Sequence, residues 1–230
     1  MGNVDRALAR DVGAVALASA VVGVSFGALA VAAGLSLWLA LFMSMVVFAG
    51  GAQFMVVGMV AAGGSPVAAV LAGLLLNARH LPFGLAVADL LGTRWPTRLL
   101  GAHLMVDESV AFAMAQRDPE RRRAAYWLCG GLLFVGWNVG VLVGGLAGRA
   151  VSSPEVLGLD AAFPASMLAL LLPSLRPAGA GEERAESPRE PMKARRVALV
   201  GAVLALVATP WLPTGLPVLL AVLAVGVALR

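Results

Sequence analysis

Apolar runs of about 20 residues, separated by short segments that hold most of the charge, constrain this chain more than any other feature. A helix needs about that length to cross the hydrocarbon core of a bilayer. Such runs cover Val12–Ala33, Leu37–Ala62, Val67–Leu91, Leu99–Ala115, Ala125–Ala147 and Ala161–Leu175, followed by two shorter ones, Val197–Leu212 and Pro217–Leu229. Composition points the same way. Hydrophobic residues make up 60% and charged residues 13%, against about 45 to 50% and about 25% in soluble domains. The reading is an all-α, polytopic transmembrane helix bundle in one domain over residues 1–230. About eight hydrophobic segments cross, or seven, since Leu99–Ala115 carries three ionisable residues and the closing pair is short. The 27 glycines and 13 prolines predict broken helices, of the kind that transporters use to expose backbone groups inside a membrane.

Charge sets an expected orientation. With the N-terminus cytoplasmic and all eight segments crossing, 13 of the 17 basic residues fall inside; Arg94, Arg98 and Arg149 fall outside, and Arg79 lies within a span. That asymmetry predicts both termini in the cytoplasm and an inner-membrane, multi-pass protein. Residues 176–196 are rich in charge and proline and read as a flexible cytoplasmic loop. The first run, at about 22 residues, is longer than the apolar core of a signal peptide and is read as a span. Cys129 is the single cysteine, which excludes an intrachain disulfide and suits a small packing residue.

Polar residues inside the apolar runs mark the candidate site, because an ionisable group at membrane depth costs several kcal/mol and is rarely kept without a role. Asn77, Arg79 and His80 interrupt the third run, and Pro82 removes a backbone donor and clashes with the carbonyl of residue 78, which predicts a kink there. Arg79 has the fork geometry to clamp a carboxylate, or it pairs with an internal acid; His80 suits proton transfer near neutral pH. In the second run, Gly50 and Gly51 weaken the helix and Gln53 adds a donor and an acceptor, so this point either binds substrate or serves close helix packing. His103 and Asp107 stand four residues apart, on one face of a continuous helix, with Glu108 about 100° further round. The three suit a proton relay, a cation site or the wet face of an interfacial helix. Asp160 opens the sixth run, as a further proton carrier or simply a helix-N-terminal acid.

Other chemistry is less well supported. Gly23-Val24-Ser25-Phe26-Gly27 matches the G-x-S-x-G of serine hydrolases, but it sits inside a long apolar helix rather than a strand-to-helix turn. Small residues at a helix-packing face account for it more simply. Two histidines without H-E-x-x-H do not make a zinc site, and no P-loop is present, so neither metal nor nucleotide cofactor is expected. A weak internal repeat pairs Gly23, Gly27 and the Gly34-Leu35-Ser36 turn with Gly140, Gly144 and the Gly158-Leu159-Asp160 turn, and suggests an inverted repeat with a site between its halves.

The phrases FAGGAQF, NARHLPFG, DESVAF and LGLDAAFPASMLALLLPSLR together resemble the AzlC family, large subunits of two-component branched-chain amino acid exporters. The resemblance runs from about Gly23 to Arg176. It implies secondary export of valine, leucine, isoleucine, methionine or their analogues, with a small AzlD-like membrane subunit as partner and no enzymatic step. Carried over by motif, the polar positions are Gln53, Asn77, Arg79, His80, Asp107, Glu108 and Asp160. Phe48, Phe54, Met43 and Met55 offer an apolar pocket for a branched side chain. A metal-cation permease or channel using His103, Asp107 and Glu108, and an intramembrane hydrolase using Ser25, are the alternatives.

Overall fold

A computed structural model describes residues 6–149 and 189–212, together with Leu220 and Ala224. Among the described residues the regular structure is entirely helical: α1 (Arg6–Ala32), α2 (Leu37–Val47), α3 (Gly50–Ala61), α4 (Pro66–Asn77), α5 (His80–Val87), α6 (Trp95–His103), α7 (Asp107–Met114), α8 (Pro119–Gly148) and α9 (Arg189–Ala208), with a 3-10 turn at Ala88–Leu90.

The two unbroken helices, α1 and α8, form the spine. A Cβ on Gly136 would lie 2.9 Å from the Ala16 carbonyl oxygen, and one on Gly140 or Gly144 would collide with the carbonyls of Ala20 and Val24. One on Gly148 would lie 3.0 Å from the Ala28 carbonyl. Each four-residue step along α8 matches a four-residue step along α1 in the same direction, so the two helices run parallel with backbones in contact. Gly23 and Gly27 complete this seam from the other side, against Trp137 and Val141. Lipid tails are as apolar as the side chains, so close backbone approach through small residues supplies the packing that holds such a pair. Ser25 lies mid-helix in this seam and its hydroxyl donates to the Val21 carbonyl at 3.4 Å, as the packing reading requires.

The second apolar run is not a single helix. α2 descends along α8 from Leu37, beside Gly145, past Ser44, whose hydroxyl donates to Asn138 Oδ1 at 2.8 Å, to Phe48, whose ring meets Phe134 edge-on at 5.0 Å. There the chain reverses: Phe48 has φ 40° and ψ 49°, the only non-glycine left-handed residue among those described. α3 then climbs antiparallel to α4, with Ala52 and Val56 against Gly73 and Met59 in a cluster with Ala69 and Ala72. The third run forms one long helix. Ala78 and Arg79 keep right-handed helical dihedrals, so α4 and α5 continue as one kinked helix, Pro66–Leu90, long enough to span. Its far end reaches Asp89, which pairs with Arg122 at the start of α8 at 3.6 Å. The turn before Pro66 therefore lies at the same end as Leu37, and α2 and α3 form a re-entrant hairpin.

The fourth run is a second hairpin, entering from the opposite end. α6 runs parallel to α8, as the Tyr126 hydroxyl donating to the Gly101 carbonyl at 2.8 Å and the contact of Gly130 with Leu104 establish. α7 runs back, because Met114 returns to Arg122 (Nη2 to Sδ 3.5 Å) and Val110, Ala113 and Tyr126 share one cluster. Turning both ways at mid-depth is possible only because other helices enclose the exposed backbone.

Several expectations change accordingly. Leu37–Ala62 and Leu99–Ala115 are hairpins, leaving three helices among the described residues long and apolar enough to cross: α1, Pro66–Leu90 and α8. Arg94 and Arg98 are not at the end opposite Arg123 but line one cavity with it. Thus Arg6, Arg10, Arg94, Arg98, Arg117 and Arg121–Arg123 gather at one end. Hydropathy measures length but cannot see a reversal, and hence misassigned both arginines. Of the 176–196 segment, Arg189 onward is the helical start of α9, while residues 176–188, the Ala161–Leu175 run and most of Pro217–Leu229 lie outside the described residues. Of the proposed repeat, Gly158-Leu159-Asp160 lies outside the described residues; α1 and α8, which carry its glycines, run parallel, whereas hairpin α2–α3 with α4–α5, and hairpin α6–α7 with α8, run in opposite senses.

Candidate functional site

The hairpin tips meet halfway through the molecule. Phe48 at the first tip and His103 at the second lie 6.1 Å apart between ring centroids, and both pack on Phe134, His103 edge-on at 5.5 Å. Beside this contact lies a cavity of about 340 Å³, walled by α1 (Val15, Ala18, Ser19, Val22), the first tip (Phe48, Ala49, Gly50, Gly51, Phe54), the α4–α5 kink (Arg79, His80), the second tip (Val106, Asp107, Glu108) and α8 (Leu133, Trp137). The volume suits a small metabolite, since ligand pockets begin at about 300 Å³.

Two helices begin at this cavity, and a third resumes there after its kink. α3 starts at Gly50 with Ala49 as its N-cap and no side-chain cap, so its first amides have no acceptor within the helix and the positive end of its dipole is bare. Gly50 is required sterically as well: a Cβ there would stand 2.9 Å from Cη2 of Trp137, whose indole lies against the helix start. α7 begins with Asp107 and Glu108, two acids at its positive end. Its tip is tied by Ser109, fully buried, which accepts from the Val106 amide at 3.0 Å and lies 2.9 Å from the Val106 carbonyl. α5 begins at His80, where Pro82 has disturbed the helix ladder as its position predicts. His80 Nδ1 sits 3.0 Å from the Asn77 carbonyl. A carbonyl only accepts, so Nδ1 carries a proton and Nε2 of a neutral ring is left as the acceptor.

The charges face each other across the cavity. Arg79 Nε lies 3.1 Å from Asp107 Oδ1, joining the kinked helix to the second tip, with both side chains mostly covered. The pair is at ionic distance but off hydrogen-bond alignment, and those two atoms have no hydrogen-bond partner. The arginine therefore pairs internally, and its guanidinium holds further donors beyond Nε.

Of the residues singled out in the sequence, Gly50, Gly51, Arg79, His80, Asp107 and Glu108 line the cavity together. Gln53 and Asn77 do not. Gln53 is 1% exposed with both amide atoms unpartnered, and Asn77 Oδ1 is likewise buried and unpartnered. His103 stands in the aromatic contact between the tips rather than on the cavity wall. It does not share a helical face with Asp107, because His103 ends α6 and Asp107 begins α7 after the reversal. Asp160 lies outside the described residues. Phe48 and Phe54 are wall residues, whereas Met43 joins the main core and Met55 packs in the α3–α4 cluster. Trp137 and Ser109 carry more of the site than their sequence context suggested; the signal for Ser109 was its place three residues after the N-cap Val106, where a hydroxyl can reach back to the N-cap amide. Asn138 bridges α2 and α8, and Cys129 is buried packing.

Residues 14–151 match the family described as AzlC protein. Two proteins of Helicobacter pylori, from strains 26695 and J99, are similar at 30% and 29% identity over 153 residues, covering 65% of this chain and 66% of each relative; both are described as uncharacterized membrane proteins. The chain thus spans about 66% of the length of the curated relatives it matches. No solved structure matches.

Proposed function

The chain belongs to the AzlC family of membrane transporters, and from that premise we propose that it exports branched-chain amino acids, bound as zwitterions between the two hairpin tips. The supporting observation is the opposite polarity of those tips around one cavity. The bare start of α3 at Gly50 and Gly51, with Arg79 beside it, suits the carboxylate; Glu108 at the start of α7 suits the ammonium. Phe48, Phe54, Val22 and Leu133 surround the branched side chain. The basic end, with Arg94, Arg98 and Arg121–Arg123, faces the cytoplasm by the positive-inside rule, so the substrate enters between α6–α7 and α8 and leaves past α2–α3.

Protons drive the uphill step in this reading. His80, His103, Asp107, Glu108 and Asp160 are its proton-coupling residues, and a neutral Asp107 releases Arg79 to the carboxylate. A small AzlD-like subunit packs on the assembly. No cofactor takes part and the substrate leaves unchanged.

The test is efflux of labelled leucine from cells preloaded through a dipeptide, with and without a proton gradient. Uphill efflux that disappears with the gradient supports the reading. Export sustained by sodium alone overturns the proton assignment, and leucine counterflow by the purified single chain in liposomes overturns the need for a partner.

A further inference from the structure

A second cavity, of about 630 Å³, opens at the basic end, between the 3-10 turn, the loop before α6, α6 itself and the start of α8. Arg94, Arg98 and Arg123 line it with Thr93 and Thr97, and its one acid is Asp89. Asp89 is engaged by Arg122 at 3.6 Å, so three guanidinium groups from three elements share a cavity with no carboxylate of their own among the described residues. Bringing like charges together is unfavourable, and a bound anion relieves it. The backbone is shaped for close approach: Gly92 has φ 80°, and a Cβ there would stand 3.3 Å from Arg123 Nη2 and 3.4 Å from Thr97 Oγ1.

The surroundings indicate the kind of anion. Trp95, the first residue of α6, is 71% exposed, and Leu99 and Leu100 on the next turn are 58% and 54% exposed. An exposed indole at a helix end marks the headgroup level of a bilayer, and the leucines beyond it offer an apolar track at acyl-chain depth. We propose that this cavity binds the phosphate of an anionic phospholipid headgroup, with Arg94, Arg98 and Arg123 as its donors and the acyl chains along α6. A lipid held there bridges α6 to α8 and pins the outer limb of the second hairpin. The inference does not depend on the transported substrate.

The experiment uses the purified full chain in detergent, with native mass spectrometry of bound phosphatidylglycerol, phosphatidylcholine and, separately, displacement by inorganic phosphate. Phosphatidylglycerol binds and phosphatidylcholine does not; Arg94→Gln, Arg98→Gln and Arg123→Gln each weaken binding about fivefold. Arg10→Gln, at an exposed arginine already paired with Asp11, leaves it unchanged. Arg94, Arg98 and Arg123 are all exposed, so each of these variants is expected to fold. Equal binding of phosphatidylcholine overturns the site, as does an equal loss in Arg10→Gln. Displacement of the lipid by inorganic phosphate at matched concentration makes it a free-phosphate site and overturns the lipid assignment.

Discussion

The two hairpins share a shape and differ in chemistry. Each enters from its own end, reverses at mid-depth and offers the start of its return helix to one cavity. The α2–α3 hairpin turns through a left-handed Phe48 into two glycines, with no side chain to cap the helix. The α6–α7 hairpin turns into Asp107 and Glu108 and is tied by Ser109. One return helix thus opens with bare amide donors and the other with carboxylates, although the dipoles of α3 and α7 point the same end at the cavity. The lesson is that geometry provides a positive helix end twice, and side chains decide whether it stays positive. Arg79, on the crossing helix between them, is paired with the acidic tip and is in place to answer a change in its charge.

The sharpest way to break the comparison is to neutralise the charged side. Asp107→Asn and Arg79→Lys are expected to reduce leucine export at least about tenfold at unchanged membrane levels, the second because lysine keeps the charge but loses the fork. Normal export in either variant removes the charged tip from the mechanism. The glycine side answers to Gly50→Ala, where the added methyl meets the Trp137 ring. Overpacking of this kind costs about 1–3 kcal/mol, and the expected result is a lowered melting temperature with weakened leucine binding; unaltered affinity would mean the start of α3 does not touch substrate. Ser109→Ala should cost about 1 kcal/mol by leaving the half-buried Val106 amide without its partner, seen in thermal unfolding with little change in affinity. If affinity falls as much as in Gly50→Ala, the tip geometry and the substrate contacts are not separable. The smallest effect is expected at Ser44→Ala, which breaks the α2–α8 bond to Asn138 and should cost about 0.6 kcal/mol by the average for interhelical bonds in membranes; a loss several times larger would make that bond the anchor of the whole first hairpin.

Much of the site was legible in the sequence because polar residues in an apolar run are conspicuous. Arg79, His80, Asp107 and Glu108 stood out by that contrast, Gly50 and Gly51 by the helix-weakening glycine pair, and Pro82 forecast the kink. Trp137 was passed over because an indole in an apolar helix is indistinguishable from core until a glycine is found against it. His103 was grouped with Asp107 by an i,i+4 rule that holds only within one helix, and the chain reverses between them.

The sequence by itself determined that this is an all-helical membrane protein of the AzlC family, with polar groups held at membrane depth, because apolar length and the cost of buried charge are local properties of the chain. Only the tertiary structure decided which apolar runs cross and which turn back. A run of 17 to 26 residues satisfies the bilayer equally as a straight span or as two half-helices. The choice rests on distant partners: Gly140 and Gly144 admitting α1, Asn138 receiving Ser44, and Tyr126 holding Gly101. Those contacts turn two broken segments toward each other and leave between them a cavity that no stretch of the sequence contains.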